Sequence, residues 1–148
     1  MQTTLYSMLP PALRRWTTPG RVIVAVQFLR FGAVGVLGFV VDTATVYGTR
    51  ATLGLYGAGL AGYVTAASSN WIFNRIWTFR GRGSGSAHRQ WALFMLVNLV
   101  GFVLNRGTYA LLVTFVPMAA EQPVIAVAAG AIAGLFTNFS LSRRVVFR

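Results

Sequence analysis

NWIFNRIWTFR, Asn70 to Arg80, closes one apolar segment of this chain, and NFSLSRRVVFR, Asn138 to Arg148, closes another in the same way. Both stretches begin with Asn, carry Arg five residues on and finish in Phe-Arg, so Arg75 falls on Arg143, Phe79 on Phe147 and Arg80 on Arg148. Upstream, Gly62, Ala66 and Asn70 fall on Gly130, Gly134 and Asn138, a small-xxx-small-xxx-Asn frame in both places. The preceding segments match as well: Phe31, Val34, Gly38, Phe39, Val40 and Thr45 fall on Phe94, Val97, Gly101, Phe102, Val103 and Thr108. The offset is 63 in the first half of each unit and 68 in the second, so one connection is five residues longer. Self-similarity of this kind marks a duplicated supersecondary unit, here a pair of apolar segments.

Composition sets the solvent in which such a unit folds. The 148 residues are 55% hydrophobic and only 10% charged, against roughly 25% charged in a soluble domain. The core is therefore expected in lipid. All thirteen basic residues are Arg, and Asp42 and Glu121 are the two acids. A pI near 11.8 would ordinarily suggest nucleic acid, but these arginines sit at the ends of apolar runs. That is the pattern of basic helix ends facing anionic headgroups, and no nucleic-acid partner is expected. The chain has no Cys, which excludes disulfide and thiolate chemistry. Pro10-Pro11 and Arg14-Arg15 interrupt the N-terminal stretch, so a cleavable signal peptide is not expected there.

Four segments approach the ~20 residues that a ~30 Å hydrocarbon layer requires. They run from about Phe28 to Tyr47, Tyr56 to Trp77, Trp91 to Phe115 and Val124 to Leu141. Residues 1–21 form an apolar and basic arm suited to the headgroup region, and residues 22–148 the membrane domain. Within it, repeat one covers about 28–80, a basic flexible linker 81–90, and repeat two about 91–148. The arm, the linker and the C-terminus hold nine arginines, whereas the opposite side has Arg50 and Glu121. Basic residues in short loops mark the cytoplasmic side. The expected fold is thus an all-α integral membrane protein of four transmembrane helices, in two parallel two-helix repeats, with both termini cytoplasmic.

Polar groups at bilayer depth cost roughly 2.5–3.5 kcal/mol per charge on insertion scales and default to functional candidates. Asp42 lies midway along the first helix; its repeat equivalent is Asn105, followed by Arg106. Asp42 and Arg106 are the opposite charges available inside the membrane, either as a structural ion pair or as a site that meets an anionic substrate. Removing one partner of a closed pair would leave the other uncompensated. Asn98 and Asn105 share one face of the third helix and Asn70 and Asn74 one face of the second, with Asn138 and Ser142 their echoes. Interhelical hydrogen bonding accounts for any single Asn; several converging would suit the hydroxyls of a sugar. Arg75 and Arg143 recur at one fixed place in the repeat, and guanidinium forks match phosphate oxygens. Asn70, Arg75, Asn138 and Arg143 together are accordingly candidates to cradle a headgroup phosphate, with Asn74 a further substrate-binding candidate beside them. No nucleophile elbow, metal-spaced cluster or glycine-rich phosphate loop is present. No enzymatic activity, metal or cofactor is expected.

Phe31-Gly-Ala-Val-Gly with Asp42, the Asn70–Arg80 stretch and the Arg143, Phe147-Arg148 echo resemble the GtrA-like family of small four-helix membrane proteins. The resemblance covers about residues 28–148 and carries over to Asp42, Asn70, Asn74 and Arg75. The second copy departs from the motif, with Ser142 at the place of Asn74 and Val145 at that of Trp77. The resemblance implies a flippase of the cytoplasmic (inner) membrane. Its substrate would be a polyprenyl-phosphate-linked monosaccharide made by a partner membrane glycosyltransferase and used in envelope polysaccharide synthesis. Four helices are few for a wide polar path, so a homo-oligomer within the membrane lipids is compatible with this. Two readings compete: a non-transporting anchor that recruits a glycosyltransferase, and a small drug or cation exporter using Asp42. Arg106 and the basic rim oppose a cationic substrate.

Overall fold

Glycine at position 54 divides what would otherwise be one very long helix. In the computed structural model, which describes Ser7, Pro10 and residues 17–82 and 85–148, the run Pro19–Phe73 is helical except at Gly54, whose φ of 65° and ψ of 174° break it. This gives α1 (19–53) and α2 (55–73). Thr18 caps α1, its Oγ1 accepting from the Arg21 N–H at 3.4 Å, and Pro19 supplies the first-turn residue that needs no partner. After α2 comes a wide turn, π1 (Asn74–Thr78). Then follow α3 (Ala87–Phe115), the short α4 (Pro117–Glu121), α5 (Pro123–Leu141) and a second wide turn, π2 (Ser142–Val146). The described residues contain no strand. Most of the expected N-terminal arm, including Arg14, Arg15 and Trp16, lies outside them.

Each repeat is an antiparallel hairpin, as the contacts of its small residues show. A Cβ at Gly38 would collide with the Asn70 side chain, and one at Gly62 with Asp42. The duplicates do the same: Gly101 underlies Asn138, and Gly130 would bring a Cβ to 2.6 Å from the Asn105 carbonyl oxygen. Higher numbers on one helix meet lower numbers on the other, so the chain reverses at Gly54 and again around α4. The small-residue frame of α2 and α5 therefore packs on the first helix of its own repeat, the close backbone approach such frames permit in lipid. Gly32 and Gly35 do not take part; neither has an atom within 4 Å of the place a Cβ would occupy.

The hairpins meet at one end, at the two wide turns. The Phe79 N–H donates to the Asn74 carbonyl at 2.8 Å and the Phe147 N–H to that of Ser142 at 2.9 Å, each five residues back. The two phenylalanines close the core, their rings stacked 4.6 Å apart at 16°. Phe31 flanks Phe79 at 6.3 Å and Phe94 flanks Phe147 at 6.1 Å, both edge-on. The duplicated positions thus surround a pseudo-twofold axis running between Phe79 and Phe147, and both hairpins point the same way.

Away from that end the molecule turns its apolar side chains outward. Leu29, Phe39, Leu55 and Phe115 are each more than 70% exposed. Pro19–Leu55 and Ala87–Phe115 are long and apolar enough to cross a bilayer, and only 22% and 11% of their most apolar windows are buried. A core helix of a soluble protein would be mostly buried; these faces need lipid. The structure lengthens both relative to the sequence expectation. Helix α1 reaches back to Pro19 and α3 to Ala87, capped by the Ser86 hydroxyl at 3.4 Å from the Arg89 N–H. His88 and Gln90, placed in the linker from sequence, are therefore helical.

Candidate functional site

Two buried glutamines organise the end where the arginines gather. Gln90, 6% exposed, accepts from Arg75 Nη1 at 2.6 Å and Trp71 Nε1 at 3.2 Å, and donates through Nε2 to the Val146 carbonyl at 3.2 Å. Gln27, 8% exposed, accepts from Arg143 Nε at 3.0 Å. Gln27 and Gln90 are 63 apart and Arg75 and Arg143 are 68 apart, so these are the same bond made twice. Each bond crosses between repeats: the arginine of one hairpin rests on the glutamine of the other. Buried glutamine oxygens fix the direction of each guanidinium, an arrangement worth more than a free surface arginine. Sequence reading missed both glutamines because Gln27 falls just before the first apolar segment and Gln90 in the linker. The repeat offset of 63 would have paired them.

The two corners have diverged. Around Gln90, the Arg75 guanidinium also lies over the Trp71 ring at 5.6 Å, and Trp91 Nε1 donates to Ser68 Oγ at 3.0 Å. Around Gln27, the positions of Trp91, Trp71 and Ser68 are taken by Phe28, Phe139 and Phe136. Phe28 sits 5.0 Å from Phe136 and 5.2 Å from Phe139. A cleft of about 660 Å³ opens at this corner, bounded by Val24, Phe28, Phe136, Phe139 and the two arginines Arg21 and Arg143.

Deeper in the bundle, five of the nine residues singled out from sequence line two adjoining clefts. One, of about 660 Å³, is bordered by Gly32, Gly35, Asn98, Gly101, Asn105 and Asn138. The other, of about 180 Å³, is bordered by Gly38, Asp42, Ala66, Asn70 and Asn98. Phe39, Tyr63 and Asn98 belong to both. The missing side chains of Gly32 and Gly35 leave the first cleft open. Asn98 Nδ2 donates back to the Phe94 carbonyl at 2.8 Å, which leaves its oxygen for the clefts. The Oδ1 atoms of Asn70 and Asn138 are buried with no hydrogen-bond partner in the protein. Tyr63, between the clefts, carried no signal in the sequence beyond its place on α2.

The remaining four residues stand elsewhere. Asn74 lies inside π1 at 1% exposure, its Oδ1 without a partner, as is the hydroxyl of its echo Ser142. Arg75 is engaged by Gln90, and Arg143 borders a different cleft from Asn138. The phosphate cradle expected from these positions is thus divided between two levels of the bundle. Asp42 and Arg106, for which the sequence left both an ion pair and an anion-meeting site open, form no ion pair. Asp42 turns onto Gly62, whereas Arg106 is exposed with its guanidinium 5.6 Å over the Phe102 ring. The cause is helical: Asn105 faces its own partner helix as Asp42 does, and one residue further on is rotated about 100° away.

Among the described residues, no cluster of three or more His, Asp or Glu could hold a metal. No curated protein matches the chain significantly. The family model described as GtrA/DPMS, transmembrane domain, matches residues 30–147, which spans both hairpins and both wide turns. The duplicated Asn–Arg turns, the hairpin pair and this match agree, and the chain belongs to the GtrA/DPMS transmembrane-domain family.

Proposed function

We propose that the protein moves a polyprenyl-phosphate-linked monosaccharide from the cytoplasmic to the outer leaflet of the inner membrane, without catalysing a covalent step. In this reading α1, α2, α3 and α5 all cross the bilayer, with the arginine-rich end cytoplasmic. Both α2 and α5 carry 19 residues, about 28 Å of helix, enough to reach across the hydrocarbon layer. A partner glycosyltransferase supplies the substrate on the arginine side. The family's association with lipid-linked sugars supports the substrate class.

The observation that carries the reading is the gathering of Asp42, Asn70, Asn98, Asn105 and Asn138 around two adjoining mid-bundle clefts. Buried polar groups in lipid are normally satisfied, because an unpaired one costs roughly 1–3 kcal/mol. Here the Oδ1 atoms of Asn70 and Asn138 are closed off against Gly38 and Gly101, whereas Asn98, which borders both clefts, bonds within its own helix. In this reading a sugar's hydroxyls bond the polar side chains that face the clefts as the headgroup passes, while the prenyl chain stays in lipid.

Asn98→Leu tests this most cleanly. The residue borders both clefts, and its one protein hydrogen bond runs within its own helix, so the fold does not depend on it. Purified protein in liposomes, given a labelled polyprenyl-phosphate monosaccharide, is expected to transfer headgroup between leaflets. Asn98→Leu should slow transfer about tenfold through loss of one hydrogen-bonding group, and Arg106→Gln, outside the clefts, should leave it near the wild-type rate. Folded protein that moves no authentic substrate would sink the reading and leave the glycosyltransferase anchor, to be sought by pull-down.

A further inference from the structure

We propose that the cleft between the start of α1 and the end of α5 is the cytoplasmic-leaflet docking site for the lipid phosphate. Phosphate oxygens would lie on Arg21 and Arg143, and the first isoprene units along Phe28, Phe136 and Phe139. This rests on the transport reading for the identity of the lipid, while the site is argued from the asymmetry of the two corners.

Duplication built two equivalent corners, each with an arginine seated on a glutamine. At the Gln90 corner the polar side chains bond one another, and the cleft bordered by Gln90, Arg89 and Arg148 is only about 170 Å³. Arg75 and the Trp71 indole both donate to Gln90, Gln90 donates to Val146, and the Trp91 indole donates to Ser68. At the Gln27 corner the equivalent places hold phenyl rings, which have no hydrogen-bonding atoms to close the gap. A cleft of about 660 Å³ stands there, within the roughly 300–1,000 Å³ usual for ligand sites.

Its lining suits one kind of molecule. The walls are aliphatic and aromatic, and a second arginine, Arg21, has been added on the first turn of α1 beside Arg143. Two guanidinium groups above an apolar slot match an anionic headgroup on a hydrocarbon chain, and arginine is the side chain whose fork fits phosphate oxygens. Gln27 holds Arg143 by its Nε, which fixes the plane in which the fork is offered. A soluble phosphate would leave the aromatic walls unused.

The full-length protein in nanodiscs, titrated with a fluorescent polyprenyl phosphate lacking the sugar, provides the measurement. Ala25→Trp, which fills the cleft from an exposed position on α1, and Arg21→Gln should each weaken binding about tenfold or more. His88→Trp, which places the same residue at the repeat-equivalent position, should bind as wild type. Inorganic phosphate and phosphatidylglycerol should displace the probe only at large excess. Unchanged binding in Arg21→Gln, or equal displacement by phosphatidylglycerol, would overturn the proposal. Probe binding that depends on Arg21 in a protein that moves no lipid-linked sugar would keep the docking site and remove the transport reading. Undiminished transport in a folded Ala25→Trp would do the reverse.

Discussion

At the scale of single residues, the two crossed glutamine–arginine bonds make unequal demands. Gln90 serves three partners and Gln27 one in the described structure. Gln90→Leu strands a half-buried arginine, a half-buried indole N–H and the Val146 carbonyl, with a cost of up to roughly 1–3 kcal/mol for a group left buried and unsatisfied. Thermal unfolding in detergent is expected to show a clearly larger loss for Gln90→Leu than for Gln27→Leu; equal losses would show that the corners are energetically equivalent. Asn70, Asn98, Asn105, Asn138 and Asp42 were legible in the sequence because a polar group in an apolar run has few explanations. Gln27 and Gln90 were not, since near the membrane surface a glutamine excites no suspicion. Whether Asp42 and Arg106 pair stayed open in the sequence for another reason: two charges are placed at one depth without the helix faces on which they stand.

At the scale of elements, the turn at Gly54 and the two wide turns shape each hairpin. Gly54 adopts φ 65° with ψ 174°, a region open in practice to glycine alone, where another residue costs roughly 1–3 kcal/mol. Gly54→Ala should lower the melting temperature in detergent. Gly48→Ala, in the interior of α1 with open space around it, should be neutral or stabilising by up to about 1 kcal/mol. A Gly54→Ala protein as stable as wild type would mean that the reversal does not depend on this backbone geometry. The four long helices were readable from apolar length. Their ends were not: the caps at Thr18 and Ser86 extend α1 and α3 beyond the hydrophobic stretch, into residues whose composition suggests loop. The wide turns were visible only as a recurring motif, because nothing in NRIWT or SRRVV announces an i+5 hydrogen bond by itself.

At the scale of the whole molecule, the duplication was the most legible feature, since fixed offsets survive where individual residues drift. Orientation can be read directly, because the chain contains no cysteine to remove. Arg82→Cys and Met118→Cys, at exposed positions beyond opposite ends of the hairpins, should react with a membrane-impermeant maleimide from opposite sides of the membrane, Arg82→Cys from the cytoplasm. Labelling of both from one side would overturn the parallel two-hairpin topology. Each arginine at the meeting end is seated by the opposite half, so neither half alone can hold its own. A single-hairpin ancestor would have needed a second copy of itself to complete the bond and, as a symmetric dimer, would have kept both corners identical through every mutation. Joined in one chain, the halves are free of that constraint, and the two corners differ: one fastened by indole and glutamine, the other lined by phenyl rings beside an open cleft.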